Sequence, residues 1–162
     1  MMFPKKKWVK QPTTRKRMPK QKTRAQLKRS WKLKLLKVWS ALVRLGGRCE
    51  KCGRSDIKRD AHHIFPRKTA IKPHWFYVPN GLDLCFNCHR DGAHSLDYDK
   101  QVEFHNWLVD YLPKRGQTYE GLKAICQAKG RIQLEDMEPL YNDMVAELKK
   151  KECSVQHKGP CA

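Results

Sequence analysis

The sequence predicts an α+β protein in which a small module rich in cysteine and histidine sits between a basic amphipathic helix and a helical C-terminal part. Three observations predict it. Apolar residues recur at helical spacing over residues 23–47 and again over 97–151. Residues 48–96 are polar and turn-rich and carry two Cys-x-x-Cys pairs. Positive charge is concentrated toward the N-terminus. At 162 residues the chain fits one compact domain with extensions.

The charge asymmetry is the first pointer to a partner. Thirty-five Lys and Arg against sixteen Asp and Glu leave a formal charge of +19. No acidic residue precedes Glu50, whereas residues 1–48 hold seventeen Lys and Arg. Such an excess repels itself in a compact chain unless an anion is available, and nucleic acid is the usual one; ribosomal or membrane-surface binding would produce the same excess. Residues 1–22 scatter Pro4, Pro12 and Pro19 among basic residues with little apolar periodicity. They read as a disordered basic arm that orders on a phosphate backbone, or else as a solvated tail serving solubility or targeting. No apolar run approaches the roughly 18 residues of a membrane span, and no apolar leader follows the basic start. The expectation is a protein without membrane or secretion signals, in a reducing, cytoplasmic setting.

The helix over 23–47 follows from Leu27, Trp31, Leu35, Val38, Trp39, Leu42 and Leu45 at three- and four-residue steps, with Thr23 as N-cap and Gly46-Gly47 as stop. Trp31 and Trp39 are expected in the core. Lys28, Arg29, Lys32 and Lys34 take the other faces, and Lys28 and Lys32 are expected to meet nucleic acid. Beyond the module, Asp97 caps a helix to about Leu112 with Val102, Trp107, Leu108 and Tyr111 inward. Thr118 caps a second with Leu122 and Ile125 inward, closed by Gly130. A third runs from about Asp136 to Lys151 with Pro139 in its first turn. Residues 152–162 read as a frayed tail.

Cys49-Glu50-Lys51-Cys52-Gly53 and Cys85-Phe86-Asn87-Cys88-His89 are two knuckles with 32 residues between them. A two-residue gap lets both thiolates reach one tetrahedral ion at about 2.3 Å. Four thiolates leave no open coordination position, so the expected ion is a structural zinc held by Cys49, Cys52, Cys85 and Cys88. The interval exceeds that of a zinc ribbon and needs structure of its own, most simply a hairpin and its loop. A redox pair or unrelated thiols would not explain two knuckles. Cys126 reads as a small buried apolar residue, and Cys153 and Cys161 as incidental thiols.

Within the interval lie Asp60-Ala61-His62-His63-Ile64, then Asn80-Gly81-Leu82-Asp83-Leu84 leading into Cys85, and finally Cys88-His89. This run, over residues 49–94, resembles the HNH or ββα-metal nuclease motif in its zinc-containing form. The resemblance implies that His63 is the general base. His62 stands where the family often has Asp and is implied to bind a divalent cation, as in the histidine-rich colicin DNases. His89 is implied as second ligand and His94 as third, its spacing one residue longer than in the colicin type. Asn80 is implied to hold the catalytic loop, and Asp60 to orient a histidine. Arg67, Lys68 and Lys72, in the loop before Asn80, would face the DNA backbone or form a solvated basic loop. The implied cofactors are structural Zn²⁺ and a catalytic Mg²⁺, Mn²⁺, Ni²⁺ or Zn²⁺, and the implied partner is DNA. No small-molecule cofactor is expected, and oligomeric state is left open.

His105-Asn106-Trp107-Leu108 and Thr118-Tyr119-Glu120-Gly121-Leu122-Lys123, followed by a charged helix, are similar to the ending of phage NinG (Rap) recombination nucleases. That likeness implies branched recombination intermediates as substrate and a phage-encoded protein in a bacterial host. The rival reading is a non-catalytic zinc-finger protein that binds nucleic acid.

Overall fold

The structure is a computed structural model and describes residues 21–66, 72–128 and 130–156, with Val155 and Gln156 by their backbone alone. Most of the basic arm, Arg67 and Lys68, and Cys161 lie outside these residues.

The chain is α+β, with a small two-stranded sheet among four α-helices in the described residues. The first helix, α1, spans Arg24–Val43. Its start is set by a capping box: the Thr23 hydroxyl accepts from the Gln26 N–H at 3.3 Å, and the Gln26 amide accepts from the Thr23 N–H at 2.9 Å. A 3₁₀ turn, Arg44–Gly46, ends it, and Gly47 at φ 72° supplies the left-handed residue that turns the chain away. Strands β1, Arg59–His63, and β2, Gly81–Cys85, pair antiparallel, with His62 opposite Leu82 and His63 opposite Gly81. Helix α2, Tyr98–Tyr111, starts on the Asp97 carboxylate, and α3, Tyr119–Gln127, on the Thr118 hydroxyl. Helix α4 spans Leu134–Gln156.

Two apolar clusters hold these elements. Leu35, Val38, Trp39, Leu42 and Val43 of α1 pack with Met137 and Met144 of α4 and with Trp75 and Phe76 from the loop between the strands. Leu82 and Leu84 of β2 pack with Phe104 and Leu108 of α2, with Leu112, and with Leu122 and Cys126 of α3. All five residues of β2 are buried, so the strand is the wall between the clusters. Gly81 lets α1 lie directly on it. A Cβ there would stand 2.3 Å from a Val43 methyl and 2.9 Å from the Trp39 ring.

Several expected details shift. Val102 and Ile125 are 39% and 51% exposed instead of inward. Burial in α2 follows Phe104 and Leu108, and Val102 sits roughly 200° around the helix from Phe104. In α3, Leu122 and Cys126 are the buried pair, which turns Ile125 to the edge. Helix α3 closes at Ala128, before Gly130. Helix α4 begins two residues before Asp136, whose carboxylate accepts from the Gln133 N–H at 3.0 Å. Pro139 is therefore the sixth helical residue and lacks the N–H that would bond to the Glu135 carbonyl. The helix also continues to Gln156, into the stretch expected as tail. No described helix is long and apolar enough to cross a membrane.

Candidate metal centres

Cys49 and Cys52 flank a tight turn in which the Gly53 N–H donates to the Cys49 carbonyl at 2.8 Å. Gly53 takes φ 75°, a region open to glycine without cost. Cys85 ends β2, and the Cys88 N–H points back at its sulfur from 3.5 Å. The four sulfurs lie within 4.8 Å of one another, and Cys52 Sγ is 3.7 Å from Cys85 Sγ. Four thiolates at about 2.3 Å from a tetrahedral ion stand about 3.8 Å apart. The donor set therefore fits one zinc. Its electrostatics point the same way. Burial raises the Cys49 thiol, but backbone N–H groups at Cys52, Cys85 and Lys51 outweigh it and bring it to about 7, whereas burial and the neighbouring sulfurs push Cys88 well up. Four clustered thiols cannot all ionise alone; a dication reconciles them. Cys126, by contrast, is buried in the second cluster, and its thiol is raised to about 11 by that burial.

The knuckles are joined by a polar lattice that no sequence signal predicted as a unit. The Glu50 N–H donates to the Asp83 carbonyl at 2.8 Å, and Glu50 Oε1 accepts from the Asp83 N–H at 2.8 Å. Glu50 Oε2 accepts from the Tyr111 hydroxyl at 2.8 Å and lies 3.3 Å from Arg115 Nη1, which also donates to the Gly81 carbonyl at 2.8 Å. Burial first, then Glu50, raises the Tyr111 hydroxyl to about 12. The Asp83 carboxylate, 1% exposed, is paired with Arg59 across the strands. A single hint of it stands in the sequence: Glu50 is the first acid of the chain and lies inside a knuckle.

A second constellation lies around β1 and the turn after β2. His62 on β1 and His89 and His94 after β2 place one ring nitrogen each within 4.8 Å of the others. Their ring centroids are 4.9–5.1 Å apart, pairwise edge to face. Residues Cys88–Ala93 form a π-helical turn, and the His94 N–H donates to the His89 carbonyl at 3.1 Å. The turn accounts for how histidines five residues apart converge. On an α-helix, residues five apart are rotated by about 140°, on different faces; the wider π turn brings them onto one side. Burial, then the His89, His94 and His63 rings, lowers His62 to about 3. Burial and His94 also lower His89, against the opposing pull of Asp60, whose Oδ2 is 3.8 Å from His89 Nδ1. Lowered histidines are neutral at physiological pH, the state in which imidazole binds a metal. Three imidazole ligands leave coordination positions open, unlike four thiolates.

His63 lines the same hollow, of about 310 Å³, with Ala61, His62, Pro66, His89 and His94. Its Nε2 lies 2.8 Å from the Trp75 carbonyl. A carbonyl only accepts, so Nε2 carries the proton, and a neutral ring then has its basic lone pair on Nδ1. Asn80 is fully buried beneath. Its Oδ1 accepts from the Phe65 N–H at 2.9 Å, and its Nδ2 donates to the Phe65 and His74 carbonyls at 3.3 and 3.0 Å. The amide thus joins both ends of the loop between the strands. Of the basic residues expected at nucleic acid, Lys32 lies with Nζ 4.7 Å from the Trp75 ring centroid, and Lys28 and Lys72 are half-buried. His105 is exposed against Tyr119, and His74 is buried and lowered by that burial.

No family model matches the chain, and no solved structure does. The chain is similar to an uncharacterised protein, YisB, of Bacillus subtilis (strain 168), at 31% identity over 58 residues. The match covers 36% of this chain and 52% of that relative, so the chain spans about half of the relative's length. Fold and site together make this an α+β chain whose four knuckle cysteines cluster as a metal site compatible with zinc.

Proposed function

We propose that this chain is a metal-dependent DNA endonuclease of the HNH type that hydrolyses phosphodiester bonds with His63 as general base. The observation that carries the reading is the hollow in which His62, His89 and His94 converge while His63 stands beside them with its Nε2 committed to the Trp75 carbonyl. His62, His89 and His94 would hold the divalent cation. Bound there, a divalent cation would supply the charge that polarises a phosphate and offsets the charge building on the leaving 3′-oxygen, which then takes a proton from solvent. His63 Nδ1 takes the proton of the attacking water as the new P–O bond forms and the bond to the 3′-oxygen breaks. The products are a 5′-phosphate and a 3′-hydroxyl. Asn80 keeps the loop carrying the Trp75 carbonyl in place and takes no part in proton transfer. The basic N-terminal residues, with Lys28, Lys32, Arg67, Lys68 and Lys72, supply phosphate contacts.

Nicking of supercoiled plasmid in Mg²⁺, Mn²⁺ or Ni²⁺ tests this. His63→Ala should lower the rate by roughly 10²–10⁴-fold while zinc content and melting temperature hold. A variant that nicks as fast as wild type removes His63 from the chemistry. Wild-type protein that binds DNA but cuts under none of these ions replaces the nuclease by a zinc-bearing binding module. Faster cutting of a four-way junction than of linear duplex would support a recombination substrate.

A further inference from the structure

We infer that helix α1 belongs to the catalytic apparatus, because Trp39 is a positioning residue that fixes the ring plane and tautomer of His63. The inference rests on the nuclease reading and goes beyond it, since Trp39 lies well before the zinc knuckles.

The Trp39 and His63 rings are stacked, with centroids 3.8 Å apart and planes 18° from parallel. The indole is itself fixed. It is 2% exposed, and its Nε1–H donates to the Tyr77 carbonyl at 3.3 Å. Tyr77 is three residues from Asn80, whose N–H donates to that same carbonyl at 2.9 Å. The His63 ring is thus held on its face by Trp39 and on its edge by the Trp75 carbonyl, 2.8 Å from Nε2. Face and edge together define a plane and say which nitrogen carries the proton. The absent Cβ of Gly81 makes this possible. Gly81 is His63's partner across the sheet, and its open face admits Val43 and the Trp39 ring. A ring stacked on its face resists rotation about its χ2 torsion more than the carbonyl contact by itself does.

A core tryptophan placed there for stability alone would show a different response to substitution. In the full-length, zinc-loaded chain, Trp39→Met should lower kcat for a short duplex by about 10²-fold, as a misplacement of about 1 Å does. KM, zinc content and DNA affinity should stay near wild type. Trp39→Phe, which restores a ring to stack, should recover most of the rate. Leu42→Ala, a core change three residues on in the same helix, controls for lost stability. Nitrogen-15 NMR of the imidazoles reads the tautomer independently of cleavage. Wild type should show His63 protonated at Nε2, and Trp39→Met a mixture. Unchanged kcat in Trp39→Met, or a loss matched by Leu42→Ala, overturns the inference. If wild type proves not to cleave, the nuclease reading falls by itself, and the tautomer decides the positioning: a mixture in Trp39→Met upholds it, and an unchanged Nε2–H overturns it.

Discussion

Asn80 makes three hydrogen bonds from one buried amide, each to backbone of the loop between the strands. Truncating it leaves the Phe65 N–H and the His74 carbonyl unsatisfied. A buried polar group so orphaned costs about 1–3 kcal/mol. Asn80→Ala should therefore lower stability by that order in a denaturant titration, and should slow cleavage with zinc still bound. Loss of cleavage without loss of stability would instead put Asn80 among the reacting groups. This residue was legible in the sequence because its type and its distance from the second knuckle belong to a recognisable run. Trp39 was legible only as a core residue. Helical periodicity says which face a side chain takes and nothing of the ring it meets from a strand twenty-four residues on. The Glu50–Tyr111–Arg115 lattice left no more than the hint of Glu50 for a related reason, since its partners are distant in sequence and follow no period.

The helices and strands carry two predictions. Gly81 is the contact point of α1 and β2, and Gly81→Ala forces its Cβ onto a Val43 methyl. Overpacking of this kind costs about 1–3 kcal/mol. The variant should melt earlier and cleave more slowly, because the His63–Trp39 stack lies at the same contact. An unaltered melting temperature would mean that α1 does not seat on the strand as described. The π turn carries the other. Inserting one alanine after Arg90 should swing His94 out of line and weaken binding of the second divalent ion by ~10–100-fold or more, since even outer partners of a ligand count for that much. The zinc content should not change. Helix starts were readable from sequence because Thr23, Asp97 and Thr118 are local signals, confirmed as caps by side-chain bonds. The π turn was not, because two histidines five residues apart carry no signature of one. The onset of α4 was misplaced because Pro139 pointed to a first turn, whereas the packing of α4 on α1 carries the helix past it.

Across the whole molecule, the two apolar clusters meet at β2, and the hairpin contributes a residue to each candidate metal group, Cys85 to one and His62 to the other. The α+β class and the pairing of knuckles were legible from composition and spacing. The way α1 seats against His63 was not, because it depends on a glycine whose value is the space it leaves. Removing zinc should undo more than one site. With a strong chelator, the four thiols lose the charge that reconciles them, and the strands should separate with a loss of near-ultraviolet circular dichroism. A chelated chain that keeps its spectrum and melting temperature would show that the knuckles hold without metal. Deleting residues 1–22 should flatten the salt dependence of DNA binding, by about 0.9 in log–log slope for each phosphate that the arm no longer neutralises. An unchanged slope would assign those residues to solubility.

X-ray absorption on protein carrying one equivalent of zinc and then one of nickel tests the arrangement most directly. Four sulfur neighbours at about 2.3 Å should appear at the zinc edge, and imidazole nitrogens without sulfur at the nickel edge, one fewer in His94→Ala. Sulfur around both metals, or a nickel shell that ignores the loss of His94, would contradict a hairpin that keeps one ion for structure and another for chemistry.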